Sequence, residues 1–205
     1  MAALPWLAAS YLLGAIPTSY LAGRLFRGID LREHGSRNLG ATNLYRVLGW
    51  RFALPVGLLD AAKGLIPVVV FAPQVSPSEV FALICGLVAV LGHAFSVFVR
   101  FKGGKGVATA AGVMLGLTPV ALGVAAAIWV ALVYLTGYVS VASITAAAVF
   151  PLAVFLLDRP SAPAMLWLDL AVALAIIWLH RGNIHRLRNG TENRFGRRAA
   201  AAPGS

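Results

Sequence analysis

Acidic residues are scarce in this chain. Seven Asp and Glu stand among 205 residues, against 17 Lys and Arg, and all charged types together make up 12%. A soluble domain carries roughly 25%. The few carboxylates are dispersed, so they assemble no oxygen-rich metal cage, and no metal or other cofactor is expected. Cysteine occurs once, as Cys85 in an apolar run, which excludes a disulfide within the chain and points to a packing role. No basic residue precedes Arg24. The apolar stretch from Leu4 to Ala22 therefore lacks the basic start of a cleavable signal and reads as a retained first span. No internal repeat is visible, which weighs against a repeat-built transporter.

What the chain has in abundance is continuous apolar sequence. Hydrophobic residues make up 60% of it, in unbroken runs rather than alternation, which defines an all-α integral membrane protein. The net charge of +10 would suggest nucleic acid in a soluble protein. Here the cations flank apolar spans, so the expected partners are membrane lipids and not nucleic acid. Fifteen of the 17 Lys and Arg fall in three patches: Arg24 to Arg51, Arg100 to Lys105, and from Arg181 onward. The positive-inside rule places all three on the cytoplasmic face, with the N-terminus outside and the C-terminus inside. Spans are read at about 3–22, 52–71, 79–99 and 164–179. Between the second and third patches the number of crossings must be even, and Pro119 divides the long apolar run there. The piece from Val107 to Leu117 rises only about 16 Å, short of a bilayer core of about 30 Å. The expectation is a single domain over residues 1–205, a bundle of seven helices with five as the alternative parity allows, and a disordered tail at 199–205.

The chain is organised around Phe101-Lys102-Gly103-Gly104-Lys105-Gly106-Val107-Ala108-Thr109. Glycine lets N–H groups converge, lysine adds charge, and a helix starting near Val107 suits an anion, most often a phosphate. It is no nucleotide P-loop: Val99 stands where that motif needs its first Gly, and Gly106 where it needs Ser or Thr. A basic turn that merely anchors two spans would look similar.

Two further patches offer hydrogen-bonding groups. Gly35 to Arg46 is a loop carrying Ser36, Asn38, Thr42, Asn43 and Arg46. Thr42 or Asn43 could cap a short helix through Trp50. His180 to Arg194 follows the last span directly; an acidic-lipid anchor would explain its arginines but not His180, Asn183 and Glu192. Three phosphate-friendly patches on one face suggest one shared site. Asp60 and Lys63 lie within the second span, three residues apart, and are expected to pair with each other or with the site, a self-satisfied structural pair being the favoured reading. Asp169 is read as interfacial. His93 is read as either a buried structural histidine or a support for the glycine turn.

GSRNLGATNLYR, GHAFSVFVRFKGGKGVAT and HRGNIHRLRNGTENR, in this order and spacing, resemble the three blocks of the bacterial acyl-phosphate:glycerol-3-phosphate acyltransferase family, PlsY. The resemblance covers nearly the whole chain. It implies a seven-helix bundle in the bacterial inner membrane with its site facing the cytoplasm. The implied reaction moves a fatty acyl group from acyl phosphate to the 1-hydroxyl of glycerol 3-phosphate, yielding lysophosphatidic acid and phosphate, the first acylation of phospholipid synthesis. A monomer is the expected working unit. The resemblance assigns chemistry to Ser36, Lys105 and Asn183. Arg46, Lys105 and His180 would bind glycerol 3-phosphate, and Gly103, Gly104 and Ser36 the acyl phosphate. Asn38, Thr42 and Asn43 stand among the substrate-binding candidates chiefly as loop-shaping groups, and Glu192 is read as loop-shaping too. Arg37 stands where the family pattern expects Gly, Ser96 where it expects Pro, and Arg194 where Lys is common.

The residue set suits that chemistry. Phosphate is already a good leaving group, so the task is to hold two phosphates and stabilise the developing oxyanion. No His here has an Asp five positions later, which excludes a His-x4-Asp dyad. The family resemblance favours a substrate phosphate as the base. The alternative reading is a small transporter of a phosphate-bearing solute, and it would want polar groups at mid-membrane in several spans.

Overall fold

The computed structural model describes residues 2–158 and 162–195. The expected tail at 199–205 lies outside the described residues. Within them every regular element is helical: α1 (Leu4–Ala15), α2 (Thr18–Arg27), α3 (Ala41–Leu48), α4 (Trp50–Ile66), α5 (Glu79–Ala94), α6 (Val107–Leu117), α7 (Pro119–Thr136), α8 (Val139–Ala153), α9 (Pro163–Leu179) and α10 (Arg181–Arg188). Short 3-10 and π turns extend several of them; α4 runs on through Gln74 and α8 through Asp158. Four helical stretches are long and apolar enough to cross a membrane: Trp50–Gln74, Glu79–Val99, Pro119–Thr136 and Val139–Asp158. Pro163–Leu179 joins them when taken with Arg181–Arg188, from which it bends by 51°. Val107–Leu117 is the short apolar helix that Pro119 predicts.

The first span departs from expectation. It is not continuous from Ala3 to Ala22 but breaks at Ile16-Pro17. Pro17 has no N–H for the carbonyl one turn back, and its ring clashes there. The carbonyls exposed at the break find partners from elsewhere. Ser96 Oγ donates to the Ala15 carbonyl, and Lys63 Nζ to that of Ile16 at 2.7 Å. In a membrane such carbonyls must be satisfied within the protein. The short helix of the first patch is also shifted. It begins at Ala41, with Gly40 rather than Thr42 or Asn43 before it, and ends at Gly49, whose φ of 89° suits glycine.

Small residues build the interior. A Cβ on Gly14 would fall on the Ala89 carbonyl and one on Gly92 on that of Tyr11, so α1 and α5 touch backbone to backbone. Gly64 against Thr109 and Gly112 against Ala61 do the same for α4 and α6. Without a hydrophobic force to drive helices together in lipid, this close approach gains packing and weak polar contacts instead. Many bulky side chains point outward, Tyr134 (88% exposed) and Trp167 (72%) among them, while Leu83 and Met165 stay buried. The helices α2, α3 and α10 are polar and amphipathic, and they gather with the three basic patches at one end of the bundle.

Candidate active site

The glycine turn hangs from the end of α5. Gly103 N–H donates to the Ala94 carbonyl and Gly104 N–H to the His93 carbonyl, each at 3.1 Å. Those two N–H groups are therefore committed to the C-terminal carbonyls of α5, the groups a helix end leaves open. A side chain has no room on either residue. A Cβ on Gly103 would overlap the His93 carbonyl, and one on Gly104 the His93 ring. The turn delivers Lys105 to the start of α6.

Lys105 is half-buried, and its Nζ donates to the side-chain oxygen of Asn183. Burial lowers the Lys105 pKa to about 8, Glu192 opposes that shift, and Arg186 and Arg46 add to it. Asn183 is turned toward Lys105 by its other end, because its Nδ2 donates to Glu192 Oε1 at 2.6 Å. The same oxygen accepts from Ser140 Oγ at 2.9 Å, and Oε2 accepts from Arg186 Nε at 2.7 Å. Glu192 is thus the hub that orients Asn183, and it ties α8 and α10 together. The reading of Glu192 as a loop-shaping residue understates this placement. A lone carboxylate within a run of arginines was the available signal.

His180 sits at the α9–α10 bend, buried, with Nδ1 2.8 Å from the Ile176 carbonyl, which leaves Nε2 as the free ring nitrogen. Arg46 comes from α3. Its Nε is buried with no acceptor, and its NH2 makes only a long contact of 3.4 Å to the Asn193 carbonyl. A buried guanidinium N–H that no protein group accepts is suited to an anion. Burial also lowers the pKa of Arg46. Asn43 holds the Ser36 loop: Oδ1 accepts from Ser36 N–H at 2.7 Å, while Nδ2 donates to the carbonyls of His34 (3.0 Å) and Leu31 (3.2 Å). Arg37, next to Ser36, has φ of 61°. A left-handed backbone favours glycine, the residue expected at this position from the resemblance.

The chain after α10 returns over the site. The Phe195 ring stacks on Tyr45 with centroids 4.6 Å apart, and Phe195 N–H donates to the Gly137 carbonyl at 2.6 Å. Beneath lies a cavity of about 440 Å³. Its polar end carries Ser36, Asn38, Thr42, Asn43, Arg46, Lys105, His180, Asn183 and Glu192. Its remaining wall is mostly apolar, from Ala108, Ala111 and Met114 of α6, Ala125 and Trp129 of α7, Ala147 and Phe150 of α8, and Val172 and Ile176 of α9, with Asp60, His93, Ser140 and Ser143 among them. Gly103 and Gly104 do not line it. Asp169 does, buried at its apolar end and not interfacial as expected, because it lies on the α9 face that also bears Val172 and Ile176.

An all-helical membrane protein with a cavity that is cationic at one end and mostly apolar along the rest is built to receive a molecule with an anionic head and an apolar tail. The sequence pattern of the glycerol-3-phosphate acyltransferase family matches residues 4–190. A glycerol-3-phosphate acyltransferase of Trichlorobacter lovleyi is 47% identical, with 95% of this chain and 98% of that protein covered. One from Chlorobaculum parvum is 44% identical over 93% of this chain and 96% of its own. The crystal structure of PlsY (YgiH), an integral membrane glycerol 3-phosphate acyltransferase, in its glycerol 3-phosphate form superposes with a TM-score of 0.87 at 39% identity, covering 95% of this chain and 96% of that one. Its lysophosphatidic acid form gives 0.85 at 38% identity, with 95% of each chain covered. The chain belongs to the glycerol-3-phosphate acyltransferase family and is an enzyme of the acyltransferase class.

Proposed function

We propose that this protein transfers a fatty acyl group from acyl phosphate to the 1-hydroxyl of sn-glycerol 3-phosphate, forming lysophosphatidic acid and phosphate. The observation that carries the reading is the shared cavity: Arg46, Lys105 and His180 stand at its polar end, and four helices line an apolar remainder. Glycerol 3-phosphate places its phosphate among those three cations and donors. The acyl phosphate lays its chain along the apolar wall and its phosphate near Ser36. Neither substrate needs a cofactor.

The hydroxyl oxygen attacks the carbonyl carbon, and the bond from that carbon to the phosphate oxygen breaks. The departing phosphate takes the hydroxyl proton. Asn183, fixed between Lys105 and Glu192, is placed to orient the hydroxyl or to steady the carbonyl oxygen as it gains charge. No dedicated base is required, since a phosphate oxygen does that work.

In the membrane, α1 and α4 to α9 form seven crossings, with the shortest, α6, lined by protein. The positive-inside rule puts the polar end of the cavity, the three basic patches and the C-terminus in the cytoplasm, and the N-terminus outside. The host membrane is the bacterial inner membrane, and one chain holds all the groups the reaction uses.

The test is product formation by purified protein in lipid, with glycerol 3-phosphate as acceptor and acyl phosphate or acyl-CoA as the acyl source. Lysophosphatidic acid from acyl phosphate alone is expected. No product from either source, with folded protein verified, overturns the reading and makes phosphate-solute transport the next assay.

A further inference from the structure

The reaction leaves one group of buried charges unused. Asp60 and Lys63 of α4 form an ion pair of 2.6 Å, and both residues are buried. The pair does satisfy itself locally, but it also reaches three other elements. Thr18 Oγ1, at the start of α2, donates to Asp60 Oδ1 at 2.6 Å. Lys63 Nζ donates to the Ile16 carbonyl at the α1 break. His93 of α5 is buried with Nδ1 3.4 Å from Lys63 Nζ and 3.7 Å from Asp60 Oδ1. Its carbonyl holds Gly104, and its ring lies directly under the Gly104 Cα. Asp60 and His93 also face the cavity.

We propose that Asp60, Lys63 and His93 are positioning residues for acyl transfer: they fix the glycine turn from below and so set the location of Lys105 Nζ. A local ion pair alone would not require the histidine edge, the α1 carbonyl and the α2 hydroxyl to converge on the same two side chains. Each tie removes one freedom of the turn. The break at Pro17 supplies the carbonyl that holds Lys63, and Lys63 holds the carboxylate against His93. His93 is then clamped on both sides, by the pair through its ring and by the turn through its carbonyl. Lys105 is the next residue after the clamped Gly104, so an error in the clamp is passed on to the cation that meets the substrate. A displacement of about 1 Å at a reacting group can cost on the order of a hundred-fold in rate.

This inference rests on the acyl-transfer reading, and the experiment separates the two. The full-length protein in lipid is assayed as wild type, as His93→Gln, and as Asp60→Asn with Lys63→Met. The double change removes both charges together, so neither is left buried and alone. Turnover by the wild type tests the reaction; a silent wild type counts against the reaction itself. With an active wild type, both variants are expected to remain folded, the double change at a lower unfolding temperature because the Ile16 carbonyl loses its donor. They should lose about ten- to a hundred-fold in kcat/KM, with KM for glycerol 3-phosphate raised. The high-pH limb of kcat/KM, set by Lys105 near 8 in the wild type, should also move. A merely structural role changes how much active protein is present and leaves KM and that limb where they were. Unchanged KM and limb in both variants overturn the inference. If neither variant accumulates as folded protein, Thr18→Val loosens one tie to Asp60, and unchanged KM and limb in it overturn the inference equally.

Discussion

Lys105 and Asn183 are 78 residues apart in sequence, yet the ammonium of one is hydrogen-bonded to the amide oxygen of the other. The pair joins the glycine turn to the helix that follows the last span. Neither residue reaches this position by its own element alone, since Glu192 holds Asn183 from behind.

Removing the ammonium tests the pair directly. Lys105→Ala should abolish detectable transfer, a loss of at least about a hundred-fold, while the protein still folds. Lysophosphatidic acid formation and thermal unfolding in the same preparation check it. Full activity in the variant would discard the assignment of this lysine.

Activity should depend on pH through Lys105. Burial holds its pKa near 8, below the ordinary lysine value of 10.5. The cation that receives a phosphate is then present below about 8 and is lost as pH rises through it. The kcat/KM for glycerol 3-phosphate reports the free enzyme and should fall above that point. The fall in kcat should lie at higher pH, because bound phosphate favours the protonated amine. A pH profile between 6 and 10 separates the two, and a kcat/KM flat to pH 10 contradicts the placement of Lys105.

Glu192→Ala should damage both fold and turnover. It strips the acceptor from Asn183, Ser140 and Arg186 at once. Breaking one side of a buried, charged network costs about 3 kcal/mol or more, which a thermal melt will register. Glu192→Gln keeps one acceptor oxygen, so it should fold better than Glu192→Ala while remaining slow.

The glycine turn should reject the smallest side chain. A Cβ on Gly103 meets backbone, which cannot step aside, whereas one on Gly104 meets the His93 ring as well as the Leu39 carbonyl. Gly103→Ala and Gly104→Ala are both expected to raise KM for glycerol 3-phosphate and to lower kcat/KM by about ten-fold or more. Wild-type constants in either variant would show that the turn can shift without moving Lys105.

Arg37→Gly should stabilise the protein, by up to about 1 kcal/mol, because the left-handed backbone there penalises any Cβ. The gain is offset in part by glycine's freedom in the unfolded chain. A higher midpoint of thermal unfolding with little change in turnover is the expected outcome.

Much of this architecture could be read from the sequence, and the reasons are local. Pro119 and Gly137 end helices by backbone chemistry alone, so Val107–Leu117 and the α7–α8 turn stood out. Ser36, Arg46, Lys105, His180 and Asn183 were picked out by the resemblance of their three blocks to a known family, and the fold brings all five to one cavity. What stayed hidden depends on long-range geometry. Pro17 can sit in a kinked but continuous membrane helix, and the groups that satisfy the carbonyls of a full break here, Lys63 and Ser96, lie far along the chain. Glu192 looked like one polar residue in a basic tail, because Ser140 and Asn183 are its neighbours only after folding. Asp169 lies on the cavity face of its helix, and an apolar span without strong periodicity gives no sign of which face that is.

The backbone crossings of Gly14, Gly64, Gly92 and Gly112 turn the usual map of mutational tolerance inside out. In a water-soluble enzyme the large buried side chains are the sensitive ones, and small surface residues vary freely. Here many of the bulky residues face outward, where one greasy side chain serves as well as another. The smallest residues sit where two helices meet with nothing between them, so an added methyl group must push a whole helix aside. The sequence can drift widely at outward-facing positions such as Leu4, Tyr134 and Trp167 while a handful of hydrogen-atom side chains keeps the helices, and the cavity between them, in register.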